Sequence, residues 1–595
     1  MSPALEQANV DARPAPIRWS ADRGCRTIDC TLGKILIEGA VFRLDGRTGP
    51  EALRHLAEMI GREGPQAIAR AEGDFVALIA ADDAVYGFKS FTSQYQLYYR
   101  EADGAVANRL GFFFDAAATR WNEDYLARHV LIVPGYQFLS RETPLRDVSR
   151  VLPGELIRLG GAITREQLVR RSYGYLLDAG QRREDVAPQI LAILRDSIKG
   201  RLAAAADARI CVEISGGLDS SFIACLLGEQ ASGIRGVMFS QPHLPSHAIS
   251  EGYAREVADR YGIDLVIMPP EALPDAVDTD PGYSDEPSDF FWFGDWFSRS
   301  VAGVAEPGSL VFTGFGADQL FLRSPSFLPW LLRHRQYALF AGALPPASRL
   351  LSRGRANLGW QSVLSQLPEA LHQRLNGAFA GGRWNPFDVG DVNMQRMLTD
   401  RVPWLRCGEG LRAYTEERYA RERELVGDGI ICDDWGYPAA PRTVTQSHFA
   451  AKGLTDASPF CDLPLLDFVY GEVSALLVHD FDGRYKELLR ESQKGIVPDS
   501  LRARQNDTFT FDSFLLKYAN KGRPYFDALL HTVPEGWIDR RAAAYALEQL
   551  SFGMTTSSTR SVMALMGYLG WREAFIRHAS AKNVAGLMVA RFADH

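Results

Sequence analysis

The sequence predicts an α/β protein in two parts: a strand-rich front, then a doubly wound parallel sheet with a helical C-terminal part. Three observations predict it. Short β-rich runs bounded by turns fill the stretch from about 32 to 159. From about 181 onward, apolar strands alternate with amphipathic helices, which implies βαβ units and a parallel sheet covered on both faces. Beyond about 520, apolar residues recur only at helical spacing. A chain of 595 residues should hold more than one domain, and the pattern divides it into 1–165 and 180–595.

Residues 1–20 are small or polar, with Pro3, Pro14 and Pro16, and read as a loose start. Strands are expected at 35–39, 73–79, 84–88 and 96–99, with a helix over 52–60. Two further strands, 148–151 and 155–159, flank the Leu152-Pro153-Gly154 turn. An amphipathic helix over 181–202 leads into the second part. There the expected strands are 210–214, 234–240, 264–268 and 309–314, with a helix over 251–261. The closing helices are 540–550 and 561–576.

Composition excludes several classes. A net charge of −8 and a pI near 5.9 argue against a protein that coats nucleic acid. No uncharged apolar run approaches the ~18 residues of a membrane span. The start, Met1 to Glu6, has neither basic nor apolar signal character. The cysteines are odd in number and scattered, as reduced thiols of a cytoplasmic protein are. Cys25-x4-Cys30 and His243-x3-His247 do not complete a zinc site.

The chemistry centres on Ile214-Ser215-Gly216-Gly217-Leu218-Asp219-Ser220-Ser221. An apolar strand precedes it, and Phe222, Ile223, Leu226 and Leu227 follow at helical spacing. A tight turn at a helix N-terminus offers unpaired N–H groups and a favourable dipole to an anion. Paired glycines let phosphate approach the backbone, and Ser215, Ser220 and Ser221 add hydroxyls. A bare carboxylate beside phosphate is repulsive, so Asp219 calls for a bridging Mg²⁺. The Walker lysine is missing. A second glycine turn, Gly314-Phe315-Gly316-Ala317-Asp318-Gln319, ends a later strand. It brings Asp318 to neighbouring strand ends, where a second carboxylate can share the metal.

The first string resembles the pyrophosphate-binding loop of ATP pyrophosphatases, and S-G-G-L-D-S-S is most similar to the asparagine synthetase superfamily. The second resembles that family's G-x-G-x-D motif. The resemblance implies ATP and Mg²⁺ as cofactors. It also implies an ATP/pyrophosphate site of Ile214 to Ser221 with Ser240, Gly314 and Gly316, and a metal held by Asp219 and Asp318. Weaker matches are Ser250-Glu251, read equally well as a helix cap, and Ser458-Pro459-Phe460-Cys461-Asp462. Arg484 to Arg490 resembles K-x-x-L-R, and Val497 to Arg504 resembles the family's L-P segment. Asp318, Lys486 and Arg504 are therefore the candidate catalytic residues.

The front resembles the glutaminase-like α+β sandwich of asparagine synthetases, an N-terminal-nucleophile type. Gly73-Asp74-Phe75 matches its G-x-F strand, and 83–99 its next hairpin. An active glutaminase of this type has a cysteine second in the chain, where this sequence has Ser2. Lys89 to Gln94 also departs from the R-D-R-x-G pattern. The expectation is a degenerate glutaminase serving as scaffold. Processing that exposes Cys25 is the rival.

Three further departures narrow the function. Gln319 replaces a Glu. Phe315 stands where asparagine synthetases carry Glu and β-lactam synthetases a catalytic Tyr. Asn506 stands where a Lys is frequent, leaving Lys494, Arg504 or Lys517 to supply charge. The pattern is most similar to lasso peptide cyclases. These adenylate an Asp or Glu side chain of a precursor peptide and close a macrolactam with its N-terminal amine. A leader-binding protein and a leader protease are the implied partners, with neither nucleic acid nor membrane. The aromatic segment 284–440 suits a peptide cleft, although most of its aromatics read as core. His448 reads as structural before it reads as a proton acceptor. The alternatives are a small-molecule amide or β-lactam-type synthetase, and a non-catalytic ATP-binding protein.

Overall fold

The computed structural model describes residues 17–19, 25–82, 84–127, 140–160, 162–171, 173–240, 245–268, 281–323, 327–350, 354–364, 366, 404–406, 436–504, 511–533, 538–552 and 559–582. They fall into two compact units. One is drawn from Met1–Trp121, Arg141–Arg170 and Ile576–His595, the other from Asn122–Ser140 and Arg171–Phe575.

The first unit holds two sheets. The larger contains β2 (Arg26–Cys30), β3 (Gly33–Leu44), β4 (Arg47–Thr48), β5 (Glu72–Ala81), β6 (Val85–Lys89), β10 (Glu155–Leu159) and β11 (Thr164–Gln167). Its order is β11-β10-β6-β5-β3-β2, with β4 on β3. The smaller runs β1 (Ile17–Arg18), β8 (Val106–Ala107), β7 (Tyr98–Tyr99), β9 (Ser149–Arg150). On β3, Ile35, Ile37 and Val41 meet Leu56, Met59 and Ile60 of helix Gly49–Glu63. Leu36, with Val76 and Leu78 of β5, meets Tyr99 and Val106 of the smaller sheet. Both faces of the β3–β5 pair are thus buried, which is why the facing stretches 35–37 and 75–80 are continuously apolar. Each fully buried Leu or Ile there is worth about 1.5–3 kcal/mol. The 83–99 hairpin expected from sequence is not formed: β6 pairs with β5 and β10, while Tyr98–Tyr99 pairs with β8 and β9. Residues 90–97 carry the chain from one sheet to the other, so the true hairpin is β5–β6.

The second unit is built on five parallel strands: β12 (Ile210–Glu213), β13 (Arg235–Phe239), β14 (Asp264–Met268), β15 (Leu310–Phe312) and β16 (Thr455–Ala457), in the order β14-β13-β12-β15-β16. Strands are added to one side of β12 as far as β14 and to the other side from β15. Right-handed crossovers then place helices on opposite faces. On one face Cys211, Val237 and Val311 pack against Phe297 and Val301 of helix Phe291–Ala302 and against Phe449 of helix Gly436–Ala450. The short β16 is missing from the sequence reading, because Thr-Asp-Ala shows no apolar alternation. Helix Pro245–Tyr261 begins six residues before the expected start, with proline in its first turn, where its missing N–H costs nothing. Ser250 and Glu251 therefore lie inside the helix and do not cap it.

Helices Phe511–Leu530, Arg540–Ser551 and Thr559–Lys582 form the C-terminal part. Asp539 caps the second by accepting from the Arg541 and Ala542 N–H groups at 3.1 and 3.0 Å. Phe291, Trp292, Phe297, Trp330 and Trp404 are core, and Trp360 is exposed. Trp384 and Trp435 lie outside the described residues. No helix among the described residues is long and apolar enough to cross a membrane.

Candidate active site

The glycine loop links β12 to helix Leu218–Gly228. Ile214 and Leu218 are buried and anchor its two ends. The Ser215 N–H donates to Ser220 Oγ at 3.0 Å, and the two hydroxyls lie 2.8 Å apart. The Gly217 N–H donates to Ser215 Oγ at 3.2 Å, and Gly217 caps the helix without a side-chain bond. Gly216 has φ +71°, and a Cβ there would fall 2.1 Å from the Ser250 carbonyl oxygen. Only glycine satisfies both conditions. Ser221 lies apart from the other loop hydroxyls: its side chain is fully buried and Oγ has no partner among the described residues. Ser240 is buried too, with Oγ 3.2 Å from Glu251 Oε2 and its N–H on Met268.

The second loop is pressed against the first. A Cβ on Gly314 would lie 2.4 Å from the Ser220 nitrogen, so glycine is what lets the two loops touch. Gly316, at φ +98°, opens helix Ala317–Phe321 and puts Asp318 in its first turn. Phe315 offers its carbonyl to Cys461 Sγ at 3.6 Å.

Between the loops stands Lys486. Its ammonium lies 2.5 Å from Asp219 Oδ2 and 2.6 Å from Asp318 Oδ1. The lysine is 2% exposed and holds a left-handed backbone, φ 52°, as the cap of helix Glu487–Ser492. Burial opposes its charge, but Asp219 and Asp318 outweigh burial and hold its pKa above the usual lysine range. The Tyr485 hydroxyl donates to Asp318 Oδ1 at 3.3 Å, and its ring centroid lies 5.2 Å from the Lys486 ammonium. Buried Arg490 fixes this turn by donating to the Tyr485 carbonyl at 2.6 Å and to the Arg502 carbonyl. Gln493 Nε2 donates to the Leu218 carbonyl at 3.0 Å. Arg504 Nη1 donates to the Gly216 carbonyl at 2.6 Å, with the guanidinium 5.7 Å from the Tyr253 ring.

The structure thus brings Asp219, Asp318, Lys486, Arg504 and both glycine loops to one place, and leaves Ser221 and Ser240 buried inside the fold. Of the cations named as substitutes, Lys494 is exposed and pairs with Glu491. The Lys517 side chain and Asn506 lie outside the described residues. His448 is fully buried, with Nδ1 3.7 Å from Asp295 Oδ1 and its ring edge-on to Phe291. It belongs to the core. Glu213, missed in the sequence reading, ends β12 beneath the loop. Its withdrawal from water and the charges of Asp219 and Asp456 push its pKa up to about 7. The signal that marks it is one acid at the end of an otherwise apolar parallel strand.

The donor set fits magnesium. Mg²⁺ takes one or two carboxylates and completes its shell with phosphate oxygens and water. The oxygens of Asp219 and Asp318 converge on one point, now held by the Lys486 ammonium. No cluster of three or more metal-binding side chains occurs among the described residues, so a closed all-protein cage is not built here.

Fold and site together define a class: a doubly wound α/β protein with two glycine loops packed against each other at the sheet's carboxyl end. The asparagine synthase family matches residues 189–572, about two thirds of the chain, and the protein belongs to that family. It is accordingly an ATP-dependent amide ligase in the general sense of that family. No curated protein matches the chain.

Proposed function

We propose that the protein closes an amide bond within a precursor peptide, as lasso peptide cyclases do. An Asp or Glu side chain of the bound peptide attacks the α-phosphorus of ATP, releasing pyrophosphate. The peptide's N-terminal amine then displaces AMP and forms a macrolactam. The observation that carries the adenylating half is the Asp219–Lys486–Asp318 triad set against the glycine loop. Asp219 and Asp318 would hold magnesium, which when bound supplies positive charge against the pyrophosphate oxygens. Lys486 offsets negative charge as the α–β bond opens, a role that favours the transition state over the ground state. Arg504 braces the loop through the Gly216 carbonyl.

Two features favour a peptide over ammonia and free aspartate. Phe315 removes the acid or phenol that the related synthetases use at that position. In the first unit, Lys89 to Gln94 are buried and knit inward: Lys89 donates to Gln96 at 2.8 Å, Ser90 to the Gly73 carbonyl at 2.9 Å, and the Gln94 N–H to Asp74 at 2.9 Å. No arginine is presented where the glutaminase pattern has two. This reading makes the first unit a scaffold, and makes a leader-binding protein and a leader protease the partners.

The test is AMP release from ATP and Mg²⁺ with a panel of synthetic peptides, each with a free amino terminus and one Asp or Glu at a different position. AMP is expected with at least one peptide, with a product one water lighter than its substrate. AMP with free aspartate and ammonium, and with no peptide, would contradict the proposal.

A further inference from the structure

Lys486 reaches its two carboxylates from the irregular loop 480–486. Its backbone is left-handed, φ 52° and ψ 44°, which a residue with a Cβ disfavours. Its ammonium rides on a flexible four-carbon stem. Such a residue keeps one position only where its surroundings over-determine the turn. Side chains from other parts of the fold do so here.

Asp480 shapes the start of the loop. Its Oδ1 accepts from the Asp482 and Gly483 N–H groups at 3.1 Å each, and its Oδ2 pairs with Arg183. The next three carbonyls are all held by guanidinium groups. Arg323 Nη2 donates to the Gly483 carbonyl at 2.5 Å and to the Arg484 carbonyl. Arg490 takes the Tyr485 carbonyl. Arg490 belongs to the helix that Lys486 caps, so it holds the loop from its own side. Arg323 comes from the opposite side of the site. It lies just beyond helix Ala317–Phe321, whose first turn carries Asp318. One short stretch thus carries a carboxylate that meets the Lys486 ammonium and a guanidinium that meets the Lys486 loop.

The acids around Arg323 are engaged elsewhere: Asp480 with Arg183, Asp482 with Arg349, and Glu487 with Arg484. Among the described residues Arg323 makes no ion pair, and its charge is spent on backbone carbonyls. Hydrogen bonds from an ionised donor are roughly twice as strong as neutral ones, which suits them to fixing a loop.

We propose that Arg323 is a positioning residue for adenylation: through the Gly483 and Arg484 carbonyls it sets the Lys486 ammonium against Asp318 and Asp219. It acts on the reaction only through Lys486. This rests on the charge role given to Lys486 and not on the peptide as substrate.

The experiment is a double-mutant cycle in the full chain: the parent, Arg323→Gln, Lys486→Gln and the double variant. Pyrophosphate–ATP exchange is read with Mg²⁺ and whichever of the peptide panel or free aspartate supports AMP release. Arg323→Gln should lower exchange by about tenfold or more, since a misplacement of ~1 Å can cost a hundredfold. Lys486→Gln has already lost the group that Arg323 places, so adding Arg323→Gln to it should cost no more than about twofold further. Arg323 is half-buried in a loop, and near-UV circular dichroism of Arg323→Gln should match the parent. If that variant does not fold, Arg323→Lys, which keeps the charge without the planar group, takes its place in the cycle. A fall of less than about threefold in the single variant would overturn the proposal. So would the same fractional loss in both backgrounds, the pattern of a residue that merely stabilises the fold. Parent-like exchange in Lys486→Gln would instead overturn the charge role of Lys486, and this inference with it. Absence of AMP release from the parent with every carboxylate would overturn the ligase reading, and with it both.

Discussion

Asp219→Ala is expected to lower pyrophosphate–ATP exchange by on the order of a thousandfold or more, since a lost metal ligand forfeits several kcal/mol of charge stabilisation. The fold should survive. Asp219 sits in the first turn of helix Leu218–Gly228 with its side chain 21% exposed, and alanine suits a helix. Near-UV circular dichroism should match the parent. Asp219→Asn should be nearly as damaging to exchange, because an amide offers the metal a weaker ligand of the same shape. Asp318 is nearly half exposed and shares the same ammonium, so Asp318→Ala should fall in the same direction by a smaller factor. Retained exchange in Asp219→Ala would remove the metal role given to both carboxylates.

Lys486→Gln is expected to lower both activity and stability. Asp219 and Asp318 each place an oxygen within 2.6 Å of one nitrogen, so removing its charge leaves two carboxylates facing each other. Breaking a fully buried pair costs ~3–5 kcal/mol. The exposure of Asp318 screens part of that, so the loss in urea denaturation should be nearer about 1–3 kcal/mol. Exchange should fall about a hundredfold or more, the range seen when one preorganised charge is removed from a transition state. Magnesium should restore stability to Lys486→Gln more than it stabilises the parent, because a divalent cation can take the place of the ammonium between the carboxylates. A parent and variant with equal stability and equal magnesium response would show that Lys486 is not the cation that binds the two loops together.

The parts of this site that were legible in the sequence are those whose physics is local. The strand–glycine turn–helix at 210–227 announces itself through apolar spacing and two adjacent glycines. The 314–319 loop does so through its position after an apolar strand. What local pattern cannot supply is the partner of each carboxylate. Lys486 lies 267 residues from Asp219, and only the fold sets it between Asp219 and Asp318. The same limit explains Ser221 and Ser240. A hydroxyl in a loop motif looks available, and whether it faces a ligand or the core depends on helix rotation and on neighbours such as Glu251. β16 was invisible because a three-residue strand carries too little pattern, and its edge position is fixed by β15. Residues 83–99 misled because two β-rich runs in sequence look like a hairpin even when they enter different sheets. Glu213 was legible in principle. An acid ending a buried parallel strand conflicts with the apolar character of its neighbours, and such conflicts collect at functional sites.

The central claim is that a carboxylate attacks the α-phosphorus of ATP at the Asp219–Lys486–Asp318 site. Its most direct test is the reaction with a substrate whose carboxylate carries ¹⁸O. The account predicts one labelled oxygen in the released AMP and none in the pyrophosphate. AMP without label, or ADP and phosphate as products, would contradict it.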